Sequence, residues 1–484
     1  MLSGVEKKNY MIWSVSWKNV WRNKTRSLVV IASVMLGIIA GVLIIGIMNG
    51  WVEQRMHDAI YNEVSHIQIH NSGYLENEDI LNTVACIDET VSVIKSLPEV
   101  KAFVKRTKLT AMVSTPWAST GLFLYGINPE EEKQVTQISL EILPGAGAYL
   151  DNGTAGTILI SDKTAEILKI KNYLVTGNLL ESSLKKTLPD NILQKLSSIK
   201  DVRFRSPKEF KNALENIFTA KELDKYGRII TDSSLNYRLR SRIQVTFSDT
   251  HGNPVQGIFR VCGIYKTSNT GFDQVSAFVN IGELASLCGS PLPPIHEIAL
   301  MLDDISDAGK VRDKLSGVSQ ENTVTIWKEL VPDAAWMKDF MLMYYFIVIG
   351  IIMLALAFGI INTMLMAILE RTKELGMLMA IGMNRKRIFS MIMLETLFLT
   401  LVGAIAGILA GWGMIQLLGK TGIRFSGWSE GFEAIGYSAT VYPFITFDFF
   451  LSVIVLVAST AILASLWPAR KALKLNPAET LRTE

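Results

Sequence analysis

The chain divides into long apolar runs and the polar stretches between them. Four runs of 18 or more residues carry few or no charged side chains, and they lie at about 28–48, 340–369, 388–418 and 449–466. Because a helix rises about 1.5 Å per residue, a run of this length can cross the ~30 Å hydrocarbon core of a bilayer. Helices inside a soluble enzyme rarely stay apolar over about 20 residues. We therefore predict a membrane protein with four transmembrane helices.

The spacing of the runs predicts one transmembrane helix, a large α+β domain, and then three more transmembrane helices. Basic residues collect before the first run, between the second and third, and after the fourth. By the positive-inside rule, both termini and the second-to-third connection are predicted to be cytoplasmic, which makes the large domain extracytoplasmic. The predicted segments are an interfacial helix at 1–26, transmembrane helices at 27–50, 340–369, 389–418 and 448–467, the α+β domain at 51–339, a cytoplasmic helix at 370–388, an extracytoplasmic loop at 419–447 and a cytoplasmic tail at 468–484.

The connection between the second and third runs is strongly charged. Residues 370–395 read ERTKELGMLMAIGMNRKRIFSMIMLE. Ionised groups at bilayer depth cost several kcal/mol each, so this segment must lie at or beyond the membrane surface. We predict an amphipathic helix there, with acids in its first turn and bases in its last, as the helix dipole favours. Its apolar side chains, from Met377 to Ile381, offer contact to a partner or to lipid.

One acidic residue, Glu395, falls inside the third run. Three interpretations stay open at this point. The carboxylate could pair with a basic residue on a neighbouring helix, it could link the cytoplasmic segment to the span, or it could reach interfacial water.

Two further patterns concern helix packing. Trp13, Trp17 and Trp21 share one helical stripe beside Lys18 and Arg22, which is typical of an interfacial helix. Glycines spaced four apart let helix backbones approach closely in lipid. They predict that the first and third spans pack tightly, within the subunit or against a second subunit. These glycines are Gly37, Gly41, Gly46 and Gly50 in the first span, which closes with Met48 and Asn49, and Gly403, Gly407 and Gly411 in the third.

The polar block contains several strand patterns. Residues 65–70 alternate, with Ile67 and Ile69 on one face and two histidines, His66 and His70, on the other. We interpret the histidine face as solvated rather than as a metal pair. Residues 243–247 and 255–265 form a predicted hairpin around the turn-rich DTHGNP. Residues 171–240 are rich in Lys, Glu, Leu, Ser and Asn, and they are predicted to be a helical insertion.

No motif for chemistry stands out. The segment GMIQLLGKT at 413–421 misses the phosphate-loop spacing by one residue, and no GxSxG, HExxH or CxxC occurs. We therefore predict that the chain is not an enzyme and holds no cofactor of its own. Three cysteines, Cys86, Cys262 and Cys288, allow one disulfide, but their spacing does not choose the pair. Structural thiols are the expected outcome.

The segment 370–395 resembles the cytoplasmic signature of FtsX-like permeases, the class that includes MacB-type and lipoprotein-releasing (Lol) transporters. The ending WPARKA at 467–472 and NPAE at 476–479 is similar to that of the family, as is the order of one span, a large domain and three spans. The Met48-Asn49-Gly50 closure, with SHI at 65–67 and WKE at 327–329, is most similar to lipoprotein-releasing permeases. The insertion at 171–240 departs from the family pattern.

The resemblance implies that residues 370–388 contain a coupling helix, seated on a separate ATPase subunit that holds ATP and Mg²⁺. ATP binding there would tilt the coupling helices and move the extracytoplasmic domains, so that a lipid-like substrate leaves the outer leaflet. The implied partners are that ATPase, a second permease copy or homologue, a lipoprotein and a periplasmic carrier, with no nucleic acid, at a bacterial inner membrane. The alternatives are MacB-like export of another hydrophobic substrate, and a signalling permease that controls a cell-wall hydrolase. The candidate residues are Glu370, Arg371, Lys373, Glu374, Gly376, Gly382 and Arg385 for coupling to the ATPase, Gly37, Gly41, Gly46, Met48, Asn49 and Gly50 for the transmembrane interface, and Glu395 as the intramembrane acid.

Overall fold

The computed structural model describes residues 4–473 except 182–183, 185–186, 250, 290–291 and 426. The NPAE part of the family-like ending and most of the predicted tail lie outside the described residues. The helices, in chain order, are α1 Gly4–Arg22, α2 Lys24–Asp58, α3 Tyr74–Asn77, α4 Ile87–Ser96, α5 Pro129–Val135, α6 Asp162–Ile167, α7 Gly177–Glu181, α8 Asp190–Leu196, α9 Pro207–Ile217, α10 Ala220–Ser234, α11 Thr270–Val275, α12 Ile281–Leu287, α13 Ala308–Ser316, α14 Trp327–Leu330, α15 Pro332–Glu370, α16 Thr372–Ala380, α17 Arg385–Thr421, α18 Ser429–Ala434 and α19 Phe447–Leu473. A π-helical turn, Ala59–Val64, continues α2, and two 3₁₀ turns occupy Ser197–Ile199 and Ile305–Asp307.

The strands are β1 Ile67–Asn71, β2 Val100–Ser114, β3 Ser119–Ile127, β4 Ile142–Gly147, β5 Thr157–Ser161, β6 Lys171–Leu174, β7 Arg203–Phe204, β8 Leu235–Tyr237, β9 Arg242–Ser248, β10 Pro254–Tyr265, β11 Ser276–Asn280, β12 Glu297–Leu302, β13 Asn322–Ile326, β14 Ile423–Arg424 and β15 Thr440–Val441. The chain separates into two compact units. The helical unit comprises Met1–Gln54, Trp336–Ser426 and Thr440–Glu484, and the sheet unit comprises Arg55–Ala335 and Gly427–Ala439.

Four helices in the described part of the chain are long and apolar enough to cross a membrane: Ser27–Val64, Pro332–Glu370, Arg385–Thr421 and Phe449–Leu473. The large α/β region lies between the first and second of them. The predicted fold class is therefore confirmed. The helices continue beyond the apolar runs at several ends, because polar residues can extend a helix once its backbone is no longer in hydrocarbon.

Glycines set the packing inside the helical unit. A Cβ on Gly407 would lie 2.9 Å from the Met35 carbonyl, and one on Gly411 would lie 3.0 Å from the Val42 side chain. Helix α2 thus packs directly against the glycines of α17 within the same subunit. Gly37 and Gly41 of α2 instead face Leu356 and Ile352 of α15. Both glycine series are therefore occupied by helices of the same chain.

A mixed sheet forms the sheet unit, with strand order β13-β1-β12-β2-β3-β11-β5-β10-β4, and β9 pairs with β10 and β2. The predicted hairpin is present, since β9 and β10 pair antiparallel from Arg242 opposite Arg260 to Ser248 opposite Pro254. One face of β2, β9 and β10 packs alternate apolar residues, such as Val113, Val245 and Phe259, into the main core.

The prediction of a solvated histidine face on β1 is wrong. His66 and His70 are only 3% and 1% exposed, because β12 and β13 flank β1 and both faces of the sheet are covered there. The Leu302 amide donates to His66 Nδ1 at 3.0 Å, and burial lowers the pKa of His66 to about 4. Burial also lowers the pKa of His70. Both rings are therefore neutral at physiological pH.

A buried ion network explains the polar residues beside His70. Arg106 donates to both oxygens of Glu132, at 3.0 and 2.6 Å, and also to Glu297. All three side chains are nearly inaccessible to solvent. Such a network holds α5 against β2 and β12, because breaking it would leave an uncompensated charge in the interior.

The sequence predicted a helical insertion at 171–240. The structure shows that this region also contains strands. It contains a three-stranded sheet of order β7-β6-β8 together with α7 to α10 and its own apolar core, which includes Tyr173 and Phe210. Strands of two to four residues are too short to show an alternating pattern, which is why the sequence did not reveal them. The Arg205 guanidinium lies 3.9 Å from the ring centre of Trp117 and joins the insertion to the β2–β3 turn.

The cysteines are free: Cys86 is exposed, whereas Cys262 and Cys288 are partly buried. Among the described residues, no group of three or more His, Cys, Asp or Glu side chains could hold a metal ion.

Candidate coupling site

A single residue, Arg371, separates α15 from α16. Its φ of −106° and ψ of 18° interrupt the helix after Glu370, so the chain changes direction and begins α16 at Thr372. The predicted coupling segment of 370–388 thus contains a helix of nine residues. Arg385 then begins α17, and the Asn384 side chain accepts from the Lys386 amide to cap that helix.

Arg371 lies between two carboxylates. Its Nη1 donates to both oxygens of Glu395, at 3.2 and 3.0 Å, and its Nε donates to Glu374 at 3.0 Å. The Glu395 side chain is 3% exposed, whereas that of Glu374 is 39% exposed. The intramembrane acid therefore has a basic partner at the start of α16, and this pair connects α16 to α17.

Glu374 also forms an ion pair with Arg22, the last residue of α1. Helix α1 packs along α17, where the Ser16 hydroxyl donates to the Met391 carbonyl at 3.3 Å. Trp13 and Trp17 each lie edge-on to the Phe398 ring, with centroids 5.5 Å apart. One chain of charges, from Arg22 through Glu374 and Arg371 to Glu395, thus joins three helices.

Apolar packing fixes one side of α16. Leu375 and Gly376 are buried, and Leu375 belongs to a cluster with Ile368, Met391 and Ala469. This cluster joins α16 to α15, α17 and α19.

The other side of α16 faces outward. Met377 is 53% exposed and Ile381 is 78% exposed. Lys373 and Arg385 are exposed as well. After α16 the chain turns through Gly382, whose φ of +98° is a conformation that favours glycine. The site therefore presents apolar and basic side chains on a short helix whose inner face is held in place.

An open polar cleft of about 530 Å³ lies beside this helix. It is lined by Asn19, Arg22, Asn23, Lys24, Glu370, Arg371 and Glu374. The mixture of both charge signs suits a protein surface that carries complementary charges.

The second predicted group, at the end of the first span, forms a separate cluster. The Asn49 Nδ2 donates to the Phe444 carbonyl at 3.2 Å, and the Tyr345 hydroxyl donates to Asn49 Oδ1. A Cβ on Gly50 would lie 2.6 Å from the Tyr442 carbonyl. Met48 is half-buried beside them. These residues join α2 to α15 and to the chain that precedes α19.

The sequence did not identify Arg22 as a member of the coupling site. Its position in a basic stretch before the first span indicated membrane topology only. A partner for it lies 352 positions along the chain, and no periodic pattern spans such a separation.

The C-terminal part of the chain is similar to known permeases. A family model described as FtsX-like permease C-terminal matches residues 346–477, a range that includes α16, Glu395 and every candidate coupling residue predicted from the sequence. The chain is 38% identical over 126 residues to the macrolide export ATP-binding/permease protein MacB of Chlorobium luteolum, which covers 26% of this chain and 16% of that protein. It is 27% identical over 232 residues to an uncharacterized ABC transporter permease of Methanocaldococcus jannaschii, covering 47% of this chain and 55% of that one. The chain therefore spans less than two thirds of the length of each of these two relatives.

A third relative matches along nearly the whole chain. The lipoprotein-releasing system transmembrane protein LolC of Neisseria meningitidis serogroup B is 22% identical over 469 residues. The match covers 95% of this chain and 94% of that protein.

Proposed function

We propose that the chain is an ABC transporter permease like the FtsX-type, MacB and LolC proteins to which it is similar, and that it transmits force from a separate ATPase subunit to its extracytoplasmic domain. The observation that carries this proposal is α16, whose inner face is fixed by Arg371 and Leu375 and whose outer face exposes Met377 and Ile381. Because α16 is attached to the transmembrane helices through these contacts, a partner that moves α16 would move those helices with it. ATP and Mg²⁺ would be held by the partner.

The partner's contact with α16 can be tested by changing only exposed atoms. Met377→Glu and Ile381→Glu should abolish co-purification of an ATPase subunit from detergent, because a carboxylate would have to be buried in the interface without a partner. Leu140→Glu, at an exposed apolar position of the sheet unit, is the matched control and should retain the ATPase. Undiminished co-purification with both α16 variants would contradict the proposal.

For the cargo, we propose a lipoprotein extracted from the outer leaflet of a bacterial inner membrane and passed to a periplasmic carrier. Two observations support this choice. The LolC relative matches nearly the full chain. An apolar groove of about 260 Å³ also lies between α2 and α15 in the helical unit, lined by residues such as Val30, Gly37, Ala355 and Gly359. Acyl chains favour such a lining, since it removes apolar area from water.

The cargo class can be read from crosslinks. A photoreactive side chain at Ala355, which is exposed in the groove, should capture a triacylated reporter lipoprotein when the complex is reconstituted. The same side chain at Leu409, exposed on α17, should not. Capture of a small hydrophobic molecule in place of the reporter would favour the alternative of MacB-like export, which the 38% identity to MacB supports.

The proposed orientation, with both termini in the cytoplasm, can be tested with thiols. Cys86 is exposed in the sheet unit, so a membrane-impermeant maleimide should label it in intact spheroplasts. A Lys373→Cys variant should gain a second label only after the membrane is permeabilised. Labelling of both thiols from the same side would refute the topology.

A further inference from the structure

The loop between α17 and α19 does not belong entirely to the helical unit. Its residues 427–439 cluster with the sheet unit, and the chain returns to the helical unit at Thr440. Within this segment, α18 is fixed by an ion pair between Lys266 and Glu433 at 3.0 Å. The Tyr437 amide donates to the Phe432 carbonyl at 2.9 Å and closes the turn after α18. The predicted extracytoplasmic loop thus contains a folded piece of the sheet unit.

Arg55 is buried at the end of α2 and contacts two other parts of the sheet unit. Its Nη1 donates to Glu63 at 2.6 Å, and its Nη2 donates to Asp333, the second residue of α15, at 3.2 Å. The Arg55 side chain is 4% exposed. Glu63 is 11% exposed and Asp333 is 56% exposed, so the Arg55–Glu63 pair is the buried one, and removing either of its charges would leave the other without a partner in the interior.

The guanidinium of Arg55 also lies against Gly436. A Cβ at Gly436 would be 3.1 Å from both Nε and Cζ of Arg55, and the glycine has a φ of +80°. The segment 427–439 can approach this closely only because position 436 has no side chain. The chain passes from one unit to the other at four places. Three of these crossings lie within four residues of a member of this contact: one at Arg55 itself, one shortly after Asp333 and one shortly after Gly436.

We propose that Arg55 is a positioning residue that joins the start of the second span and the third-to-fourth loop to the end of the first span. Movement of α17 and α19 then reaches the sheet unit through segment 427–439, in addition to the direct continuation of α2 and α15. This inference rests on the proposed function, because it describes the path by which the force travels.

The joint itself can be measured on the full chain in nanodiscs by hydrogen–deuterium exchange. Arg55→Gln should raise the exchange rate of the hydrogen-bonded amides of 432–437 about tenfold, because one stabilising contact of that turn is lost. Exchange in β2 should not change. Arg312→Gln is the matched control, since Arg312 also contacts two carboxylates, Asp313 and Glu329, at 3.2 and 3.1 Å, but on the surface. Unchanged exchange at 432–437 in Arg55→Gln would overturn the proposal.

The mechanical role has a separate readout in a complex reconstituted with the co-purifying ATPase and a triacylated reporter lipoprotein. Arg55→Gln should keep the ATPase rate and the KM for ATP, while release of the reporter falls about tenfold or more. Arg55→Lys keeps the charge, so its release of the reporter should lie between that of the wild type and that of Arg55→Gln. In a background whose three native cysteines are serine, a short bismaleimide across Lys266→Cys and Glu433→Cys should restore release to Arg55→Gln.

A residue needed only for folding would not be rescued by a crosslink at another position. Parallel loss of ATPase and release in Arg55→Gln, or no recovery on crosslinking, would therefore overturn the mechanical role. If the wild-type complex hydrolyses ATP and releases no reporter, the proposed cargo is refuted, and the mechanical role in its release is refuted with it. The hydrogen–deuterium exchange experiment is independent of the cargo and still decides whether Arg55 holds segment 427–439.

Discussion

Removing the charge of Glu395 should destabilise the helical unit in a way that depends on Arg371. The two groups are 3.0 Å apart, and Glu395 is almost fully buried. With an effective dielectric constant of about 20, Coulomb's law gives an attraction of about 5.5 kcal/mol at that distance. Desolvation of the two ions offsets most of this, so the net contribution of the pair is small, but a single charge left behind is expensive.

The structure makes the two single variants unequal. Arg371→Gln leaves a buried carboxylate uncompensated and should lower the free energy of unfolding by about 3 kcal/mol. Glu395→Gln should cost about 2 kcal/mol, because Arg371 keeps Glu374 as a partner. The double variant removes both charges and should cost about 2 kcal/mol, which gives a coupling energy of about 3 kcal/mol.

The assay is a double-mutant cycle on unfolding in mixed detergent micelles, titrated with sodium dodecyl sulphate. Glu374→Gln serves as the control, since its ion pair with Arg371 is partly exposed and should be worth less than about 1 kcal/mol. Additive losses, with a coupling energy below about 0.5 kcal/mol, would refute the reasoning. A loss in Glu374→Gln equal to that in Glu395→Gln would refute it as well, because burial would then not be the cause.

Three further predictions concern packing, protonation and thiols. Gly407→Ala should lower the free energy of unfolding by about 1–3 kcal/mol in the same titration, because its Cβ would meet a carbonyl of α2 at 2.9 Å. Gly413→Ala is the control and should leave the free energy of unfolding unchanged, since the space around Gly413 is open. Equal losses in the two variants would contradict the packing of α17 against α2. Burial raises the pKa of Asp273 to about 7, so the folded state holds this proton where the unfolded state has lost it, and stability falls as pH rises from about 4 to about 7. Asp273→Asn should therefore raise the thermal midpoint at about pH 8 and have little effect near pH 4.5, and a pH-independent difference would count against the assignment. Iodoacetamide should modify Cys86 well before Cys262, because burial raises the pKa of the Cys262 thiol to about 11 and the thiolate is the reactive form. An intact protein mass that shows the loss of two hydrogens to a disulfide would contradict three free thiols.

The order of spans and domain could be predicted from the sequence because each rests on a local property. A bilayer demands about 20 apolar residues in succession, and a run of that kind is visible without knowing what it packs against. The same holds for the β9–β10 hairpin, where alternation and a turn lie within about 25 residues. The family signature at 370–395 is also contiguous, so the site could be located before its geometry was known.

Errors arose where burial depends on distant parts of the chain. The alternation of β1 indicated two faces correctly, but it could not show that Tyr74 stacks on His70, that Tyr61 lies against His66, or that Glu297 lies beside His70. The insertion was predicted as helical because its strands are shorter than one period of a reliable pattern.

Four apolar helices, a large α/β region after the first of them and a charged segment between the second and third could all be inferred from the order of residues, since length, periodicity and charge act along the chain. The partner of Glu395, the helices that pack against the glycines, and the folding of residues 427–439 with the sheet unit became visible in the three-dimensional structure. Each of these depends on contacts between residues tens to hundreds of positions apart, and such contacts are selected by the packing of the whole fold rather than by any local pattern.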